Sequence, residues 1–185
     1  EIHAPLTYSE KKFIPFLSVS QSAKEVGITI TSASKAFNLA GLKCAMIITE
    51  NESLRDRINM MPLAVAFRAS LFGATAATAA FQHGLSWLDS VMKLLDENRK
   101  LLKNLIDTKL PGVGYRIPDF GYLGWIDLAA LHLGDDPCER LLERGRVALV
   151  KGSAYGPQHQ SFARFNFGTN PEIIAEGIDR IAKSI

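Results

Sequence analysis

Midway along the chain, apolar residues return at helical spacing for about five turns, and this run constrains the fold more than any other feature. Leu88, Val91, Met92, Leu95, Leu102, Leu105 and Ile106 share one side, with Lys and Asp/Glu residues on the other. Trp87 to Ile106 is therefore expected to form one long amphipathic helix, which Pro111-Gly112 ends. A helix of this length can link two pieces of a chain, and the residues on its two sides differ in style. The boundary is placed near residue 85.

Before the helix, residues 13–19 run into a Ser/Gln/Lys-rich connection, and Gly27 then leads into Ile28-Thr29-Ile30-Thr31, a β-branched strand. Cys44 to Thr49 is an apolar run suited to a buried strand. Asn51-Glu52-Ser53 supplies a turn and a helix start, followed by Leu54 to Ile58. Residues 69–82 are rich in Ala, Gly and Ser, which predicts a closely packed, buried helix. After the long helix, Tyr122 to Leu128, Val147 to Val150 and Phe162 to Phe167 read as strands, with a helix near Pro137 to Arg144. Asn170-Pro171-Glu172 starts a last helix, with Asn as cap and Pro at its first position. Ile174, Ile178, Ile181 and Ile185 form its apolar stripe. The expected architecture is α/β: a parallel-sheet piece over 1–85 and a smaller α+β domain over 86–185.

Composition mainly excludes. With 47% apolar and 22% charged residues the chain reads as an ordinary globular protein. A net charge of +2 without a basic run predicts no nucleic-acid and no acidic-membrane partner. No apolar stretch reaches the ~18 residues that span a bilayer, and no secretory signal heads the chain. Cys44 and Cys138 lack CxxC or CxxH spacing and are read as free thiols in a reducing cytoplasm. His3, His83, His132 and His159 show no metal-ligand spacing, so no metal is expected. The opening Glu1-Ile2-His3 has no initiator Met, and a fragment without its first half is expected.

Chemistry concentrates in Ser32-Ala33-Ser34-Lys35-Ala36-Phe37-Asn38-Leu39-Ala40-Gly41-Leu42-Lys43. A lysine just after a strand, in a Ser- and Gly-rich loop, is expected to be partly desolvated. Desolvation disfavours the ammonium and leaves free amine for a Schiff base. Two hydroxyls, backbone N–H groups and a second cation suit a phosphate ester. On the tetrapeptide alone, a solvated surface lysine is the favoured reading.

This segment resembles the cofactor-lysine signature of the class I/II aminotransferases, the fold-type I enzymes that use pyridoxal 5'-phosphate (PLP). The shared pattern is Ser-x-Ser-Lys, two residues, Asn-x-x-Gly, and a basic residue eight positions after the lysine. The resemblance implies that Lys35 holds the cofactor and that Ser32, Ser34 and Lys43 serve its phosphate. Lys43 stands where the family usually has an arginine, and so keeps the charge without the bidentate fork. Glu1-Ile2-His3 is similar to the Asp-Glu-Ile-His strand end of the cystathionine β-lyase-like (C–S lyase) branch. That likeness puts His3 near the cofactor's phenolic oxygen and the Asp partner of the pyridine nitrogen one position before residue 1. Arg146 to Gly156 resembles the strand leading into a Pro-Gly-x-x-Phe-Gly loop, with Lys151 in place of Pro. Arg164, in Ala163-Arg164-Phe165-Asn166-Phe167-Gly168, matches the arginine that grips a substrate α-carboxylate, a task its fork suits.

The resemblance covers essentially the whole chain and implies the end of a large PLP-binding domain (1–85) followed by a small C-terminal domain (86–185). It also implies an enzyme with an amino-acid substrate and a homodimer, and the free thiols place the expected enzyme in the cytoplasm. β-Elimination from a sulfur amino acid is the favoured reaction, and amino transfer is the alternative. From another class, a non-catalytic ligand-sensing domain of a regulator stays open, as does a piece inert by itself. Trp87, Trp125 and Phe120 are read as core or interface, Tyr122 as a strand residue, and His83 and His132 as surface or satisfied core residues.

Overall fold

Ser20 accepts the Ala23 N–H with its side chain and so starts the first helix, α1 (Gln21–Val26). Strand β1 (Thr29–Thr31) follows, then β2 (Met46–Ile48), and the two pair antiparallel with Ile30 opposite Ile47. The parallel pairing expected of these runs is therefore not present between them. Residues 32–45 connect them without the crossover helix that a parallel pair needs. Nor is β2 buried: Met46, Ile47 and Ile48 are all exposed. Asn51 caps α2 (Glu52–Asn59) through the Leu54 N–H, as the sequence predicts. The short α3 (Leu63–Ala66) and α4 (Leu71–His83) come next. The small residues of α4 do form a helix, but only Gly73 and Ala77 are buried. Gly73 is where α4 meets the chain around Lys43, because a Cβ there would strike the Leu42 carbonyl. The helix is covered along the Gly73–Ala77 side and exposed over most of the rest.

The structure, a computed structural model, describes residues 1–185. They fall into two compact units, Glu1–Met92 and Lys93–Ile185, and the long amphipathic helix α5 (Leu85–Lys109) passes from one to the other. No helix is long and apolar enough to cross a membrane.

In the second unit, β3 (Gly114–Tyr115), β4 (Leu123–Asp127), β5 (Val150–Lys151) and β6 (Phe162–Asn166) form one antiparallel sheet in the order β3-β4-β6-β5. The dipeptide strand β3 has too little sequence to show a period and was not expected. The Val147–Val150 run contributes only its last residue to β5. Along β4 and β6, alternate residues turn inward: Gly124 and Ile126 on one, Ala163 and Phe165 on the other. Helix α6 (Pro137–Gly145) and helix α7 (Pro171–Ala182) supply Leu141, Ile174, Ile178 and Ile181 to the same core, with Leu102 and Ile106 from α5. Each fully buried side chain of this size stabilises by about 1.5–3 kcal/mol relative to exposure. Ile185, expected in the α7 stripe, lies past the helix end and is exposed. Asn98 of α5 donates its Nδ2 hydrogens to the carbonyls of Phe167 (2.9 Å) and Thr169 (2.7 Å). Those bonds tie α5 to the chain leaving β6.

Candidate active site

The Lys35 loop is built around the Ser32 hydroxyl. Ser32 is buried, and its Oγ accepts the Ser34 N–H at 3.1 Å and donates to the Cys44 carbonyl at 2.5 Å. It also meets Ser34 Oγ at 2.7 Å. With its own proton directed at Cys44, Ser32 takes the Ser34 proton in that contact. One side chain thus closes the loop on both sides of Lys35. Backbone bonds from Phe37 N–H to Ala33 O and from Leu39 N–H to Ser34 O wind the segment into a single turn. Ala33, Ala36 and Phe37 face inward. The Phe37 ring meets Phe81 edge-on at 5.6 Å and stacks on Trp87 at 6.0 Å. Gly84, between α4 and α5, leaves room for that ring, since a Cβ there would lie 2.7 Å from it.

Lys35 itself points outward and is exposed. The desolvation expected for it is not found: the inward positions of the turn go to Ala33, Ala36 and Phe37, and Lys35 takes the outward one. Asn38 adopts a left-handed backbone (φ 54°), which Asn tolerates better than most residues. Lys43 does so too (φ 55°), at a cost of about 1 kcal/mol that a Gly there would avoid. Its strained backbone is held by the Ser70 N–H, which donates to the Lys43 carbonyl at 3.1 Å.

Ser32, Ser34 and Lys43 line one hollow of about 690 Å³, together with Ile2, Ile30 and Cys44. Two hydroxyls and an ammonium in one lining suit a phosphate, although the Ser32 proton is engaged by the Cys44 carbonyl and the Ser34 proton by Ser32. Lys35 and His3 are outside that lining. Burial pushes the His3 imidazole below its ordinary value, and the positive charges of Lys35 and the amino terminus push it further down. His3 is thus neutral at neutral pH and adds no second positive charge near Lys35, with one ring nitrogen able to accept a hydrogen bond.

Within the second unit, Arg164 is central in β6, opposite Trp125 on β4 and Val150 on β5. It is half-buried on the sheet face away from the helices. Ion pairs in this unit engage Arg99, Arg116 and Arg180 instead, which leaves the Arg164 fork without a carboxylate. Its guanidinium carbon lies 5.5 Å from the Tyr155 ring centroid. Burial raises the Tyr122 phenol above its usual value, and the Arg164 charge offsets part of that rise, so Tyr122 stays protonated beside Arg164. A cleft of about 440 Å³ reaches Arg164, with Arg146 and Arg180 also on its wall.

Sequence reasoning did not single out Tyr155, and it left Trp125 as core or interface. The aromatic place in the Gly-x-x-aromatic-Gly loop was the available signal for Tyr155. His83 is exposed on α4 and His132 is exposed in a left-handed turn. No cluster of His, Cys, Asp or Glu is fit to hold a metal. Cys44 and Cys138 are both free thiols.

Among curated proteins, the chain is 37% identical to the cystathionine β-lyase of Corynebacterium glutamicum, matching 98% of this chain and 48% of that protein. It is 31% identical to the cystathionine β-lyase PatB of Bacillus subtilis, matching 100% of this chain and 48% of that one. The chain thus spans about half the length of the curated relatives it matches. Among solved structures, cystalysin from Treponema denticola, which contains pyridoxal 5'-phosphate, superposes with a TM-score of 0.91 at 26% identity. That match covers 100% of this chain and 47% of cystalysin. The fold is the fold-type I architecture of PLP-dependent aminotransferases and C–S lyases. The family model for aminotransferase class I and II matches residues 1–181, and the chain belongs to that family.

Proposed function

We propose that this chain forms the C-terminal portion of a PLP-dependent C–S β-lyase that cleaves cystathionine or a similar sulfur amino acid. The observation that carries the reading is the Ser32–Lys43 loop, which presents one lysine on a turn anchored by Phe37 and stapled by Ser32. Residues 1–85 belong to the large cofactor-binding domain and residues 86–185 to the small domain. PLP, when bound, supplies an electron sink for the charge left at the substrate α-carbon.

Every other task falls to side chains. Lys35 holds the cofactor, and its Nζ then takes the α-proton as general base. Ser34, Lys43 and Ser32 bind the phosphate, with Lys43 supplying charge in place of an arginine. His3, kept neutral by its surroundings, accepts a hydrogen bond near the cofactor oxygen. Arg164 grips the α-carboxylate with two parallel N–H···O bonds. The thiolate leaves from the β-carbon with the electron pair of the C–S bond, and with one water the products are pyruvate, ammonia and a thiol. Without a leaving group, the same residues would serve amino transfer: Lys35 would not return the proton to the α-carbon, the amino group would stay with the cofactor when bound, and a keto acid would leave with the oxygen of one water.

The working unit is a homodimer in the cytoplasm. Exposed Met60, Leu63, Phe67, Leu71 and Phe72 support a subunit contact over residues 60–80, and two free thiols suit a reducing compartment. The full-length protein is to be incubated with cystathionine, and separately with alanine plus a keto acid. Pyruvate and free thiol from the first, with little transfer in the second, is the expected result. Rapid transfer without thiol release would move the function to aminotransferase.

A further inference from the structure

The sheet face that carries Arg164 is aromatic. Trp125 stacks on Phe162 at 5.4 Å and receives the edge of Tyr155, also at 5.4 Å. His159 closes the same group, edge-on to Trp125 at 5.4 Å. Tyr155 therefore touches both the fixed indole and the guanidinium, whose carbon lies 5.5 Å from its ring centroid. A ring face attracts a guanidinium without a formal negative charge. It restrains the plane and leaves the N–H donors to bind something else. A carboxylate in the same place would consume those donors.

The turn that presents Tyr155 is fixed along its length. Lys151, at its start, pairs with Asp136 and with Glu139 at 3.6 Å. Asp136 is also the cap of α6, accepting the Glu139 N–H, so Lys151 is tied to a helix end. Gly152 is buried, and a Cβ there would meet the carbonyls of His159 and Phe162. Only glycine lets the turn fold this closely onto β6. Gly156 ends it at φ 141°.

We propose that Tyr155 is a positioning residue for Arg164, its ring holding the guanidinium plane so that the fork faces the substrate α-carboxylate. The proposal rests on the assignment of Arg164 as the carboxylate grip. The test uses the full-length, PLP-loaded protein and two probes without an amino group, 3-(methylthio)propionate and its primary amide, with dissociation constants from calorimetry. Wild type is expected to prefer the acid. Tyr155→Leu is expected to cut that preference on the order of fivefold through weaker acid binding, with the amide unchanged, as loss of a cation–π restraint predicts. Tyr155→Phe, which keeps the ring face, is expected to hold it within about twofold. An undiminished preference in Tyr155→Leu would overturn the proposal. So would an equal loss in Tyr155→Phe, or equal weakening of acid and amide. Arg164→Ala separates the two layers. If the acid preference survives there, the Arg164 assignment has failed; if it collapses there but survives Tyr155→Leu, only the role of Tyr155 has failed.

Discussion

The two units use a similar stock of apolar residues in different ways. In Lys93–Ile185 the large hydrophobics go inward: Leu102, Ile106, Ile126, Leu141, Phe167, Ile174, Ile178 and Ile181 are all at most 1% exposed. In Glu1–Met92 many remain outside, among them Ile30 of β1, all of β2 and much of the α3–α4 stretch, where Phe67 and Phe72 are each 79% exposed. The second unit shows a clean alternation along β4 and β6, which is how a sheet with one covered face reads. The first shows an unbroken apolar run over Cys44–Ile48, the pattern of a strand that is covered on both faces. An apolar run records that cover is wanted, not which part of the molecule supplies it.

The largest expected effect tests that contrast directly. Phe167→Ala should destabilise the second unit by about 3–5 kcal/mol, as emptied core sites do, measured by denaturant unfolding. Phe67→Ser should change the stability of this chain by less than about 0.5 kcal/mol while reducing binding of a hydrophobic dye. Comparable losses from both would erase the distinction between the units.

A smaller effect concerns charge. Burial pushes the Asp96 carboxyl up, but hydrogen bonds from Lys100 and Arg99 outweigh it and hold the group below its ordinary value. Arg99, itself buried, also donates to the Pro118 carbonyl at 2.9 Å. A depressed native value means that this stabilisation is complete above the unfolded-state value near ~3.9. It is lost as pH falls through the lower native one. Asp96→Asn should cost about 1–2 kcal/mol at neutral pH, and less as the medium is acidified below about pH 4. A cost that did not shrink in acid would contradict the pairing.

The smallest effect compares two left-handed residues. Arg146 ends α6 at φ 53° and Lys43 precedes β2 at φ 55°. Gly relieves such a backbone but gives back chain entropy, so each change should stabilise by roughly 0.5 kcal/mol. Only Lys43→Gly should also weaken binding of PLP, read by equilibrium titration of the full-length protein. Equal PLP affinity in both variants would take Lys43 out of the phosphate site.

Periodicity and caps were legible in the sequence. Asn51 and Asn170 start their helices as expected, and α5 extends the predicted run by about a turn. Strand pairing was not legible, because Ile28-Thr29-Ile30-Thr31 reads alike in a parallel or antiparallel partner. Burial of α4 was misjudged because small residues mark close approach, and here only Gly73 and Ala77 are buried. The residues proposed to carry the chemistry were named from a motif. The geometry behind it, the Ser32 staple and the Phe37 anchor, depends on Cys44, Phe81 and Trp87, none of which the motif contains.

The most direct test of the central claim is chemical. The full-length protein should be yellow with PLP, and borohydride reduction followed by peptide mapping should place the cofactor on Lys35, with Lys35→Ala losing both the covalent label and turnover. Label found on Lys43 or Lys151, or retained in Lys35→Ala, would contradict it.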